Sequence, residues 1–99
     1  MKTPGQIFGE LIRAERKRRG YTLQAFARTV DLSVAFISQI ERGQMSPPSE
    51  GKIIKIAEVL ELNPDELLVN LGRVPSDIYE LILKNPQLIS ELRGRFLFF

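Results

Sequence analysis

The chain has 99 residues, 26% of them charged and 43% hydrophobic, the profile of one small globular domain with room for a single core and a short appendage. It contains neither cysteine nor histidine, which excludes disulfides, thiolate nucleophiles, imidazole acid–base catalysis and the usual zinc ligand sets. The net charge is only +2, but it is unevenly spread: residues 1–43 carry eight Lys/Arg against four acids, and residues 44–99 carry six against eight.

A basic half followed by a mildly acidic half fits a polyanion-binding unit joined to a segment with another role, although an unevenly charged solvated surface gives the same pattern. No apolar run approaches the roughly 20 residues that span a bilayer, and no signal-peptide pattern opens the chain. The expected compartment is therefore the cytoplasm, and no membrane partner is expected.

In chain order, the punctuation is that of short helices, with no strand alternation between hairpin turns. Met1 to Gln6, with Pro4-Gly5, reads as a loose leader. Ile7, Phe8, Leu11 and Ile12 then form the apolar stripe of a first helix that runs to about Arg19 and ends at Gly20. Thr22 caps a second helix of about seven residues, with Leu23, Phe26, Ala27 and Val30 at helical spacing, and Asp31-Leu32 turn the chain out of it. Ser33 caps a third helix from Val34 to about Arg42, closed by Gly43.

The loop Gln44-Met45-Ser46-Pro47-Pro48 stops helical continuation, and Ser49-Glu50 opens a fourth helix whose core side is Ile53, Ile54, Ile56, Ala57 and Leu60. Asn63-Pro64-Asp65-Glu66 supplies a cap, a proline at the first helical position and an acid three residues after the cap. It opens a fifth helix that ends before Gly72. A second block holds two more helices, one opened by Val74-Pro75-Ser76-Asp77 and one by Asn85-Pro86, the latter ending before Gly94. The fold class is thus all-α: a five-helix domain over residues 1–72 and a helical extension over residues 73–99.

Two short helices joined by a turn of about three residues, behind a basic first helix, have the helix-turn-helix plan. Docking a helix in the major groove needs short or hydrogen-bonding side chains on its exposed N-terminal face, which Val34, Ala35, Ser38 and Gln39 supply. It also needs an aliphatic inward face that fixes the angle between the helices, here Phe26, Ala27, Val30, Leu32, Ile37 and Ile40. An αα-corner in a generic helical domain has the same pattern.

The run Arg16-Lys17-Arg18-Arg19-Gly20-Tyr21-Thr22, then Phe26-Ala27, Leu32-Ser33, Ile37-Ser38-Gln39-Ile40-Glu41-Arg42-Gly43, Ile56-Ala57 and Pro64-Asp65-Glu66-Leu67 resembles the lambda-repressor/Cro type of helix-turn-helix proteins, the XRE family. The resemblance covers about residues 7–71. It implies a five-helix domain that binds double-stranded DNA as a homodimer on a partly palindromic operator. It places Val34, Ala35, Ser38 and Gln39 on the base-reading face, Thr22 and Ser33 as phosphate-contacting caps, Phe36 at the edge of the face, and Arg42, Gly43 and Gln44 against the sugar-phosphate strand. It also implies an internal salt bridge between Arg16 and Glu41. Two positions depart from the family pattern. Leu23 replaces the usual glutamine, a role that Gln24 takes only if the helix is slightly rotated, and Asp31 stands where glycine is common.

Val34 and Ala35 offer methyl contacts to thymine, Gln39 suits adenine and an inward Arg42 suits guanine, so few direct base contacts are expected. The extension carries apolar positions Ile78, Leu81, Ile82, Leu88, Ile89 and Leu92, followed by the tail Phe96-Leu97-Phe98-Phe99. Three uses of it stay open: dimerisation, packing on its own domain, or docking a regulatory protein. Burying each of those six side chains contributes about 1.5–3 kcal/mol, so an isolated hairpin would not hold. The functional expectation is a DNA-binding transcriptional regulator, a repressor, with a protein-interaction module such as an antitoxin as the alternative. No paired carboxylates, phosphate-cradling glycine loop or activated nucleophile points to an enzyme, and no cofactor or metal is expected.

Overall fold

A computed structural model describes residues 1–97; Phe98 and Phe99, the end of the apolar tail, lie outside the described residues. The elements are α1 (Pro4–Arg18), α2 (Leu23–Thr29), α3 (Val34–Glu41), α4 (Glu50–Leu60), α5 (Pro64–Asn70), α6 (Ser76–Lys84) and α7 (Gln87–Phe96). Every regular element among the described residues is a helix, as the all-α expectation required.

Two boundaries differ from the sequence reading. The second half of the expected leader, residues 4–6, is the first turn of α1: the Gln6 amide donates to Thr3 Oγ1 at 3.1 Å and the Thr3 amide to Gln6 Oε1 at 2.9 Å, with Pro4 at the first helical position. This reciprocal capping satisfies two amides that a helix start leaves unpaired, which offsets the weak helix propensity of Gly5. At the other end, Gly94 does not stop α7, which continues to Phe96. A mid-helix glycine costs roughly 1 kcal/mol against alanine without removing a hydrogen bond.

Three further caps act as expected, whereas Ser49 before α4 makes no side-chain cap hydrogen bond. Thr22 Oγ1 accepts from Ala25 N, Ser33 Oγ from Phe36 N and Asn63 Oδ1 from Glu66 N. Asp31 takes the left-handed conformation of the turn after α2, with φ +57°, which Asp tolerates better than most residues.

The core draws on all of the first five helices: Phe8 and Ile12 from α1, Phe26 and Ala27 from α2 with Val30 just beyond it, Ile37 and Ile40 from α3, Ile53, Ile56, Ala57 and Leu60 from α4, and Leu67 and Leu68 from α5. Ile7 stays exposed, so the buried stripe of α1 begins at Phe8. α6 and α7 bury no side chain. They form an arm that stretches the molecule to 47 × 29 × 23 Å, with a radius of gyration of 15.9 Å against about 13 Å for a compact chain of this length.

Helix α3 crosses α1 at glycine. A Cβ on Gly9 would overlap the Ile40 carbonyl oxygen and lie 2.9 Å from that of Glu41. Gly43, at φ +66°, is held the same way by Gln6, whose Cα would lie 2.9 Å from an added Cβ. Because backbone closes the space at Gly9, relief requires the two helices to part. Gly9→Ala is expected to cost at least about 1–3 kcal/mol, measured as a lowered urea midpoint; an unchanged midpoint would contradict the close crossing.

Candidate nucleic-acid interface

The angle of α3 is fixed from behind by a buried ion pair. Arg16 Nε donates to Glu41 Oε2 at 2.7 Å, Nη2 to Oε1 at 3.0 Å, and Nη1 to the Tyr21 carbonyl at 2.8 Å. Both side chains are almost fully buried, at 8% and 5% exposure. The hydrogen bonds to Glu41 hold the Arg16 guanidinium protonated beyond its usual range, against the opposing effect of burial. One two-pronged contact thus ties α1, the α1–α2 turn and the last turn of α3 together.

With Ile37, Ile40 and Glu41 turned inward, α3 presents Val34, Ala35 and Gln39 to solvent, with Ser38 half-buried. The expected base-reading residues therefore lie together on the side away from the core. Thr22 and Ser33 are exposed at the starts of α2 and α3. Their oxygens accept from their own helices, and a hydroxyl that accepts still has its proton to donate.

Phe36 is half-buried, packs against the core and carries Lys52 Nζ 4.8 Å from its ring centroid. An ammonium above an aromatic face is held by the ring quadrupole, so Phe36 brings a cation from α4 to the edge of α3. Nothing local in the sequence links these two residues.

The turn after α3 closes on the helix itself. The Gly43 amide donates to Ile40 O and the Gln44 amide to Gln39 O, each at 3.0 Å. These amides complete the helix end and are not available to a phosphate. The exposed groups at this turn are the side chains of Arg42 and Gln44. Arg42 lies back along its own helix, with Nε 3.3 Å from Ser38 O.

Between α1, α2 and α3 lies a hollow of about 210 Å³ lined by Arg13, Arg16, Leu23, Ser38, Glu41 and Arg42. Glu41 is neutralised by Arg16, which leaves the exposed Arg13 and Arg42 as the hollow's free cations among the described residues. Arg13 was missed in the sequence reading, although it lies one turn before the inward-facing Arg16 on the same side of α1. The lining residue from α2 is Leu23; Gln24, exposed beside it, does not line the hollow.

A short brace helix, a four-residue turn and a second helix with its small and amide side chains outward, flanked by cations, define a helix-turn-helix DNA-binding protein. A family model described as Helix-turn-helix matches residues 12–67, and the chain belongs to this XRE-type family of transcriptional regulators. It is 44% identical over 62 residues to YazB of Bacillus subtilis strain 168, an uncharacterized HTH-type transcriptional regulator, the match covering 63% of this chain and 88% of YazB. It is 36% identical over 69 residues to the HTH-type transcriptional repressor RghR of the same organism, covering 70% of this chain but only about half, 51%, of RghR. Among solved structures, the restriction-modification controller protein C.AhdI of Aeromonas hydrophila superposes with a TM-score of 0.58 at 30% identity, over 64% of this chain and 90% of that one.

Removing one partner of the Arg16–Glu41 pair strands a buried charge. Glu41→Ala is therefore expected to cost about 3–5 kcal/mol, and pairing Arg16→Met with Glu41→Leu to recover most of it. Chemical denaturation followed by circular dichroism checks this; a double variant no more stable than Glu41→Ala alone would contradict it.

Proposed function

We propose that the chain is a homodimeric repressor that lays α3 in the major groove of each half of a palindromic operator and acts by occupying a promoter. The observation that carries this reading is the outward face of α3, Val34, Ala35, Ser38 and Gln39, bordered by Arg13, Arg42 and Lys52. Cations on both flanks of a groove-reading helix neutralise the two phosphate strands that border a groove.

In this reading Val34 and Ala35 pack on thymine methyl groups and Gln39 pairs with an adenine edge. Arg13 and Arg42 each meet a phosphate at the hollow beside Leu23. Thr22, Ser33, Gln24 and Gln44 donate to neighbouring phosphates, and Phe36 acts through Lys52. Few direct base contacts make one half-site weak, so a second copy is needed. The apolar arm supplies its surface: Ile78, Leu81, Ile89 and Leu92 are exposed, with Ile82 and Leu88 half-buried. Tyr79, Leu83, Phe96 and Leu97, not among the six positions expected to mediate dimerisation, widen that surface.

That same arm favours a second reading, in which residues 73–99 dock a regulatory protein of a different kind. Because the core closes within α1–α5, a chain ending at Gly72 keeps its fold. The first reading expects this truncation to be monomeric by sedimentation and to lose most operator affinity; a truncation that keeps full affinity favours the second. Selection of preferred sites from random duplexes, followed by salt titration, tests DNA binding itself. Three cations per half-site give a log–log salt slope of about −5 for the dimer, and absence of any sequence preference would overturn the proposal. Gln39→Ala is expected to relax preference at one base pair per half-site, whereas Arg13→Ala and Arg42→Ala weaken all sequences alike and each lower the salt slope.

A further inference from the structure

The arm is joined to the body at one place. Pro75, at the position before α6, has no side chain able to cap a helix, and α6 has no cap of its own. Glu50, the first residue of α4, takes that role from another helix: one carboxylate oxygen accepts from the Ser76 amide at 2.9 Å and the other from Ser76 Oγ at 2.6 Å. Three residues earlier, Arg73 donates from Nη1 to the Pro48 carbonyl at 2.6 Å and from Nη2 to that of Pro47 at 3.3 Å. Two consecutive prolines have no amide hydrogen, so their stretch of loop is held through its carbonyls, and one guanidinium takes both. Apart from the Arg73 amide that closes α5, every hydrogen bond from the arm to the body among the described residues falls on Pro47, Pro48 or Glu50.

These three residues lie on the segment that runs from the end of α3 to the start of α4. The direction in which the arm leaves the body is therefore referenced to the recognition helix, while the arm's apolar faces contribute nothing to the core. We infer that Arg73, Ser76 and Glu50 form a latch that sets the separation and rotational phase of the two recognition helices in the dimer, and so the half-site spacing that the protein accepts. The inference rests on the proposed dimer through α6–α7, whose second component is another copy of this chain.

Inserting one base pair between half-sites moves them apart by about 3.4 Å and turns one against the other by about 35°. A rigid latch resists this, whereas a loose joint follows it. In place of two bound half-sites, a mismatched spacing leaves one bound and one strained.

The test uses the full chain and palindromic duplexes carrying its selected half-site, with the spacer at its optimum and changed by one or two base pairs. Wild type is expected to lose about tenfold or more in affinity per base pair of mismatch. Arg73→Ala with Ser76→Ala is expected to remain a dimer by sedimentation and keep the half-site preference, with affinities across the spacer series converging to within about threefold. Arg73→Lys, which retains the charge but not the two-pronged grip, is expected to fall between them. A double variant whose spacing profile matches wild type overturns the latch, and so does one that has become monomeric, since the contacts would then serve association and not geometry. Failure of the dimer reading itself shows in wild type alone, as a monomer that binds a single half-site and the full palindrome equally.

Discussion

The position of α3 depends on its contact with α1. Gly9 lets the two backbones meet, Gly43 turns the chain away beneath Gln6, and the Arg16–Glu41 pair fixes the rotation of the helix about its own axis. A recognition helix can only read a groove if its outward face is always the same face. Hydrophobic burial of Ile37 and Ile40 is non-directional and specifies that less sharply than a directed hydrogen bond. A guanidinium bonded to both oxygens of one carboxylate and to the Tyr21 carbonyl has one geometry. The pair thus contributes orientation, at a desolvation cost that a hydrophobic pair would not incur.

How legible each feature was depended on the distance over which it is determined. The caps at Thr22, Ser33 and Asn63 were readable because a cap involves an oxygen and an amide three residues apart. The same rule operates at Thr3 and Gln6, where Pro4 stands at the first helical position and is compatible with the helix. Gly9 is different in kind. Within a helical stretch a glycine reads as a local weakness, and only the crossing of a second backbone shows it as a requirement.

The interface divides along the same line. The exposed face of α3 follows from helical periodicity once Ile37 and Ile40 are inward, and Val34, Ala35 and Gln39 all fall on it. Lys52 reaches that face only through the packing of α4 beside Phe36, a tertiary fact with no sequence signal. The left-handed Gly43 that ends α3 directs its own amide and that of Gln44 back to Ile40 and Gln39. Cationic side chains and backbone donors are separate resources, and at this turn it is the side chains of Arg42 and Gln44 that face solvent.

The body completes its own core before the arm begins, and the arm adds no buried side chain to it. Folding of the first five helices is therefore indifferent to how many copies of the protein are present and to what covers α6 and α7. Substitutions on the exposed faces of α6 and α7 leave the packing behind α3 untouched, and substitutions on the outward face of α3 leave the arm untouched. The two surfaces are open to separate selection, so a chain of this plan can vary one at a time without passing through an unfolded intermediate sequence.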